Sequence, residues 1–269
     1  MGRWVVGVAK LTKAQIKAHK EACELVDCGR PLSDDEKEFI LDNWQESATH
    51  VNSAVGAFFT PRSLAGDFAI EVSGSSTDLG PCIDLCAGIG SLGYQVERRF
   101  SRMVCVEVNP EYARIGKRIL PDAEWLVCSA FDARLLDMGR FSWAISNPPF
   151  GTIKADDYSG PYKGSQFEYK VIEIASRIAY FGAFILPQMS APFRYSGQQT
   201  YLAEETDKAR KFREQTGIIM EPNCGIDTSI HKCDWRGVAP VCEIVVCEFD
   251  PPPIAKPESA QADLFAEAA

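Results

Sequence analysis

From residue 81 onward, short apolar runs alternate with polar-faced segments of helix length. The runs are "CIDLC" (82–86), "MVCVEV" (103–108), "EWLVC" (124–128), "FSWAISN" (141–147) and "YFGAFILP" (180–187), and the intervening helical segments include 109–119 and 165–179. This alternation predicts βαβ units, hence an α/β fold with a doubly wound, mostly parallel sheet. A last run, "VCEIVVCEF" (241–249), is expected to pair with "TGIIM" (216–220) as an antiparallel edge hairpin. Upstream, residues 10–50 read as helical. In "LSDDEKEFILDNW", Ser33 is the predicted N-cap, Glu36 its capping-box partner, and Phe39, Ile40 and Trp44 an apolar face. The chain therefore divides into a small helical N-terminal extension (1–50), a main domain (51–250) and a tail (251–269). The tail, "PPPIAKPESAQADLFAEAA", carries too little apolar surface to pack and is expected to be disordered. No internal repeat interrupts this plan.

Composition narrows the setting. With 269 residues, 46% of them hydrophobic, the chain can bury one large core. No apolar run reaches the length of about eighteen residues that a membrane span needs, and the start "MGRWVVGVAKLTK" is too short in apolar residues for an export signal, so a cytoplasmic protein without membrane partners is expected. Ten cysteines occur without a C-x-x-C pair and should stay reduced. Cys224, His231, Cys233 and Cys242 match no usual zinc spacing, and no metal is expected. A formal charge of −9 excludes a protein that coats nucleic acid by charge alone. Local basic faces remain, at Lys10, Lys13, Lys17 and Lys20 and at Lys208, Arg210, Lys211 and Arg213; acidic neighbours at Glu204, Glu205 and Glu214 make the second read as a solvated helix surface.

The chemistry begins at "IDLCAGIGSLG". A strand ends at Asp84 and turns through Gly88, Gly90 and Gly93 into a helix, at the carboxyl edge where open α/β sheets bind ligands. The next strand ends in Glu107, the acidic position that binds a ribose hydroxyl pair in dinucleotide folds. These features leave a dinucleotide and another adenosine compound both open. Asp84 with Ala87, Gly88 and Gly90 resembles the first motif of class I S-adenosylmethionine-dependent methyltransferases. That resemblance implies S-adenosylmethionine as cofactor, with Asp84 facing its methionine end and, from "CSAFDAR", Phe131 against the adenine ring and Asp132 on its amino group.

The stiff corner "ISNPPFGT" (145–152) can continue neither a helix nor a central strand, because each proline lacks an N–H and fixes φ. "SNPPF" resembles the catalytic motif of amino-group methyltransferases. The implied roles are acceptors at the Asn147 side chain and Pro148 carbonyl, rigidity from Pro148 and Pro149, and stacking by Phe150 on a planar base. "GAFFTPRSLA" (56–65) resembles the Phe-Thr-Pro segment of bacterial DNA adenine-N6 methyltransferases of the gamma arrangement, which implies cofactor contacts from Phe59, Thr60 and Pro61. The resemblance spans roughly residues 50–190 and implies DNA as partner, with the target adenine flipped out of the duplex. One departure stands out: in that family a sizeable target-recognition domain usually follows the corner, whereas about 120 residues follow it in this sequence and the last strands and tail use many of them. Target reading then falls to loops 151–166, 188–200 and 222–240. Ribosomal-RNA adenine methylation, protein glutamine methylation and a catalytically silent binding module are the competing readings. In the tail, Gln261, Leu264 and Phe265 of "QADLF" resemble the short motif that docks bacterial replication proteins on the DNA sliding clamp.

Overall fold

The computed structural model describes residues 12–45, 58–74, 76–236 and 240–249. Its strands are β1 (Pro81–Asp84), β2 (Arg102–Glu107), β3 (Glu124–Val127), β4 (Phe141–Ser146), β5 (Ala179–Pro187) and β6 (Cys242–Glu248). The helices are α1 (Lys13–Asp27), α2 (Asp34–Asn43), α3 (Arg62–Glu71), α4 (Ser91–Val96), α5 (Pro110–Ile119), α6 (Phe167–Ile178) and α7 (Asp207–Thr216). The strands form a six-stranded sheet in the order β3-β2-β1-β4-β5-β6. Pairs from β3 through to β5 are parallel, and β5–β6 is antiparallel.

The apolar runs are continuous because both faces of the sheet are covered. On one face, Cys82, Met103, Cys105, Trp143 and Ile145 join α1 to α5 in one cluster; on the other, Ile83, Val104, Val106, Ala144 and Phe184 pack under α6 and α7. Phe184, Ile185 and Leu186 are fully buried, and each contributes about 1.5–3 kcal/mol relative to exposure. Local signals set several helix ends. Asn109 caps α5 by accepting from Glu111 N–H at 2.9 Å, and Pro110 opens the helix. Ser33 and Glu36 form the expected capping box on α2, and Thr12 and Gln15 form another on α1. The two N-terminal helices lie on the sheet's own core: Ala22, Val26, Ile40 and Trp44 are buried in the first cluster, and Arg236 donates to the carbonyls of Trp44 at 2.7 Å and Leu41 at 2.9 Å.

The antiparallel edge is present, but its partner differs from the expected one. β6 runs along β5 through seven residue pairs from Phe181↔Glu248 to Pro187↔Cys242. Residues 216–220 form no strand, and only Glu221 makes an isolated bridge, to Val246. A nine-residue β5 offers a full ladder of unpaired backbone groups, whereas "TGIIM" begins with Thr216, the last residue of α7, and its left-handed C-cap Gly217. The tail with Gln261, Leu264 and Phe265, and Lys10 of the first basic group, lie outside the described residues.

Candidate active site

Strand order reverses between β1 and β4, so the chain leaves their carboxyl ends in opposite directions and opens a crevice there. The crevice holds a cavity of about 440 Å³, within the usual range for a small-molecule site. Its walls come from the turn after β1 (Leu85, Cys86, Gly88), the end of β2 (Glu107, Val108, Asn109), the segment after β3 (Ser129, Ala130, Phe131) and the corner after β4 (Asn147, Pro149). Phe58 and Phe59 close one side and Ile153, Lys154, Ala155 and Asp157 another.

The glycine turn has a steric reason. Gly88 has φ +56°, and a Cβ there would stand 3.2 Å from Phe59 Cδ1, so the Phe59 ring lies against the bare backbone. Gly90, at φ +93°, is the N-cap of α4. Glu107 ties the turn to β2: its Oε2 accepts from Gly88 N–H and its Oε1 from Asn109 N–H, both at 2.8 Å. Ala87 is buried and donates its N–H to Val106 carbonyl at 3.0 Å, holding the turn on β2.

Among the described residues, three buried side-chain oxygens at the ends of β1 and β4 lack partners: Asp84 Oδ2, Ser146 Oγ and Asn147 Oδ1. Asp84, 1% exposed behind Leu85 and Cys86, receives one long 3.4 Å bond from Cys86 N–H, and its Oδ2 has none. Burial pushes its carboxyl up to about 8, with Glu107 adding to the rise and the Cys86 N–H opposing it. Asn147 donates from Nδ2 to Phe58 carbonyl at 3.1 Å and to Thr60 Oγ1 at 2.9 Å. Because a backbone carbonyl only accepts, the amide orientation is settled, and Oδ1 is left buried without a partner at the cavity wall. The segment Phe58–Thr60 thus aims the side chain of the corner.

Neither a family model nor a curated protein matches the sequence. Solved structures do match the fold. The methyltransferase subunit of a type I restriction-modification system from Streptococcus thermophilus aligns at TM-score 0.53 and 15% identity, over 79% of this chain and 49% of that one. The type IIG restriction endonuclease BpuSI aligns at 0.51 and 14%, over 80% of this chain and 27% of that one. An rRNA methylase from Streptococcus thermophilus aligns at 0.42 and 13%, over 70% and 96%. The chain has the class I methyltransferase fold.

Within this methyltransferase fold the expected site residues separate into groups. Phe59, Gly88, Glu107, Phe131, Asn147 and Pro149 line the cavity. Asp84, Thr60 and the buried Pro148 stand behind that lining. Pro61 is the N-cap of α3. Phe150 packs against the larger apolar cluster rather than in the lining. Asp132 lies off the cavity: it caps the 3₁₀ turn Ala133–Asp137, and Arg134, bound at 2.6 Å, lowers its carboxyl to about 2. Lining residues not anticipated from the sequence include Phe58, Val108, Tyr112, Ser129 and Phe167. Val108 carried a usable signal, an apolar residue continuing past the strand end, where it is 69% exposed. Tyr112 carried none, since it occupies a core position of α5. Of the four candidate zinc ligands, Cys224 donates to Glu71, His231 bonds Asp67 and Ser63, and Cys242 is buried in β6; among the described residues no group of three or more potential ligands converges. Arg210 and Arg213 both pair with Glu205 on the acidic-flanked α7.

Proposed function

We propose that the protein is an S-adenosylmethionine-dependent methyltransferase that modifies the exocyclic N6 amine of adenine in DNA. The observation that carries this reading is the orientation of Asn147, a residue of the cavity lining: both amide hydrogens are spent on Phe58 and Thr60, which leaves Oδ1 as a buried acceptor without a partner among the described residues. The cavity fits the cofactor. Val108, Phe131 and Phe59 offer apolar faces to an adenine ring and Glu107 sets a carboxylate in the lining for a ribose hydroxyl pair, while Asp84, buried outside the lining, is the carboxyl proposed for the methionine end. Bound there, S-adenosylmethionine would supply an electrophilic methyl group.

The chain's own residues act on the acceptor. An exocyclic adenine amine is a poor nucleophile because its lone pair is delocalised into the ring. Accepting its hydrogens at Asn147 Oδ1 and at the Pro148 carbonyl holds the nitrogen toward tetrahedral geometry and localises the lone pair. The two prolines keep those acceptors rigid, so little reorganisation accompanies reaction. The proton leaves to water afterward, and no strong base is needed. Reaching the corner requires the adenine to leave the duplex, and loops 151–166, 188–200 and 222–240 are the proposed target-reading elements. Support for DNA comes from the order of the Phe-Thr-Pro, glycine and Asn-Pro-Pro-Phe segments along the chain. The tail residues Gln261, Leu264 and Phe265 are proposed to recruit the enzyme to the sliding clamp, which fluorescence anisotropy of a 250–269 peptide against the host's clamp tests.

The deciding experiment is tritiated methyl transfer to unmethylated DNA, RNA and bulk protein, followed by nucleoside analysis. N6-methyladenine in DNA is the expected product. Label confined to RNA or to protein amides, or no label at all, overturns the assignment.

A further inference from the structure

The residue that follows the Asn147–Phe150 corner is Gly151, at φ +91°. Its N–H donates to Glu168 Oε2 at 2.9 Å, and its carbonyl accepts from Phe167 N–H at 2.8 Å. Glu168 lies in the first turn of the twelve-residue α6 and is 0% exposed. The other oxygen, Oε1, accepts from Ser190 Oγ at 2.8 Å. Ser190 is also buried and closes the 3₁₀ turn Gln188–Ser190 after β5, and its carbonyl accepts from Tyr169 OH at 2.7 Å. A single carboxylate therefore joins the corner after β4 to the loop after β5.

Packing alone does not call for a carboxylate here. Removing a carboxylate from water costs several kcal/mol, and the partners of Glu168 are an amide and a hydroxyl rather than a cation. What offsets the cost is the positive end of α6, together with the two hydrogen bonds that the side chain accepts. A glutamate at this place is a strong, directional tether for one backbone N–H in the strand-end corner. The opposite side of the corner is held by Phe58 and Thr60 through Asn147.

We propose that Glu168 is a positioning residue for the Asn147–Phe150 corner, and that through Ser190 it sets the corner in register with loop 188–200. The proposal rests on the adenine-methylation reading given above. Glu168 touches neither cofactor nor base; it acts by fixing Gly151, and with it the place of the Pro148 carbonyl and the Asn147 side chain. A slip of about 1 Å in such acceptors is enough to cost on the order of a hundredfold in rate.

The test uses the full-length chain and its Glu168→Ala, Glu168→Gln and Ser190→Ala variants. Tritiated methyl transfer to unmethylated genomic DNA gives kcat and KM, calorimetry gives S-adenosylhomocysteine affinity, and thermal melting confirms folding. Glu168→Ala is expected to lower kcat by about a hundredfold while KM for DNA and S-adenosylhomocysteine affinity hold. Glu168→Gln keeps an acceptor for Gly151 N–H and is expected to recover most of the lost kcat. Ser190→Ala, which spares the Gly151 bond, is expected to lose about tenfold. If Glu168→Ala does not fold, the other two variants decide. Wild-type kcat in all folded variants, a Gln variant no faster than Ala, or cofactor affinity falling in step with kcat overturns the positioning role and leaves the adenine-methylation reading standing. A wild-type chain that methylates no adenine in DNA removes both.

Discussion

Asp84 and Glu243 are both carboxylates at 1% exposure, on β1 and β6 of the same sheet, and they are opposite in kind. Glu243 accepts from Gln188 Nε2 at 2.7 Å, Tyr195 N–H at 2.9 Å, Ser196 N–H at 3.0 Å and Ser196 Oγ at 2.8 Å. Asp84 has one long bond and an orphaned oxygen. A satisfied buried carboxylate accounts for its own cost by shaping the loop around it, here 188–200. An orphaned one leaves the cost of its burial without an offset from the fold. Asn147 belongs with Asp84 in this respect, half of its amide committed to the fold and half without a partner among the described residues.

Substitution of Asn147 is therefore expected to act on methyl transfer, and substitution of Glu243 on stability. The largest effect is expected for Asn147→Ala, a loss of about a hundred- to a thousandfold in methyl transfer with S-adenosylhomocysteine binding retained. Near-normal turnover in single-turnover kinetics would break the comparison. Glu243→Ala should instead lower stability by about 3 kcal/mol, because several buried donors lose their acceptor. Urea unfolding measures this, and limited proteolysis should show loop 188–200 becoming a cleavage site.

Asp84→Asn sharpens the contrast through pH. Burial holds the Asp84 carboxyl at about 8, against an ordinary value of about 3.9. Between those values the folded chain keeps a proton that the unfolded chain has lost. The contribution of Asp84 to stability is therefore full below pH about 4 and is lost as pH rises toward about 8. The asparagine variant should lack this decline, so its stability relative to wild type should rise from pH 5 to pH 8 in paired urea melts. A constant difference across that range would mean that Asp84 is ionised in the free protein. The smallest effect is expected for Thr60→Val, which takes one of two acceptors from Asn147 Nδ2 and should slow transfer about fivefold, the scale of one hydrogen bond near 1 kcal/mol.

How far the site was legible depends on how local each cause is. The Phe-Thr-Pro segment, the glycine turn and the Asn-Pro-Pro-Phe corner were recognisable as residues, and the structure brings Phe59, Gly88, Glu107, Phe131, Asn147 and Pro149 to one cavity. Asp132 was expected to face the cofactor, but Arg134, two residues on, binds its carboxylate, and a near neighbour in sequence reaches it first. Phe150 was read as a stacking surface, yet the apolar core is within its reach and covers part of it.

The sequence by itself determined what short-range sterics and hydrogen bonding control: the α/β alternation, the capping boxes of α1 and α2, the positive-φ glycines after β1 and the rigidity of the corner. Only the tertiary structure decided what depends on contacts distant along the chain. The Asn147 amide is oriented by residues 89 and 87 positions away, and Glu243 gathers loop 188–200 from 47 to 55 positions away. β6 chose β5 because pairing is won by the strand that offers the longest unpaired edge once the sheet has formed, and local pattern carries no record of that edge.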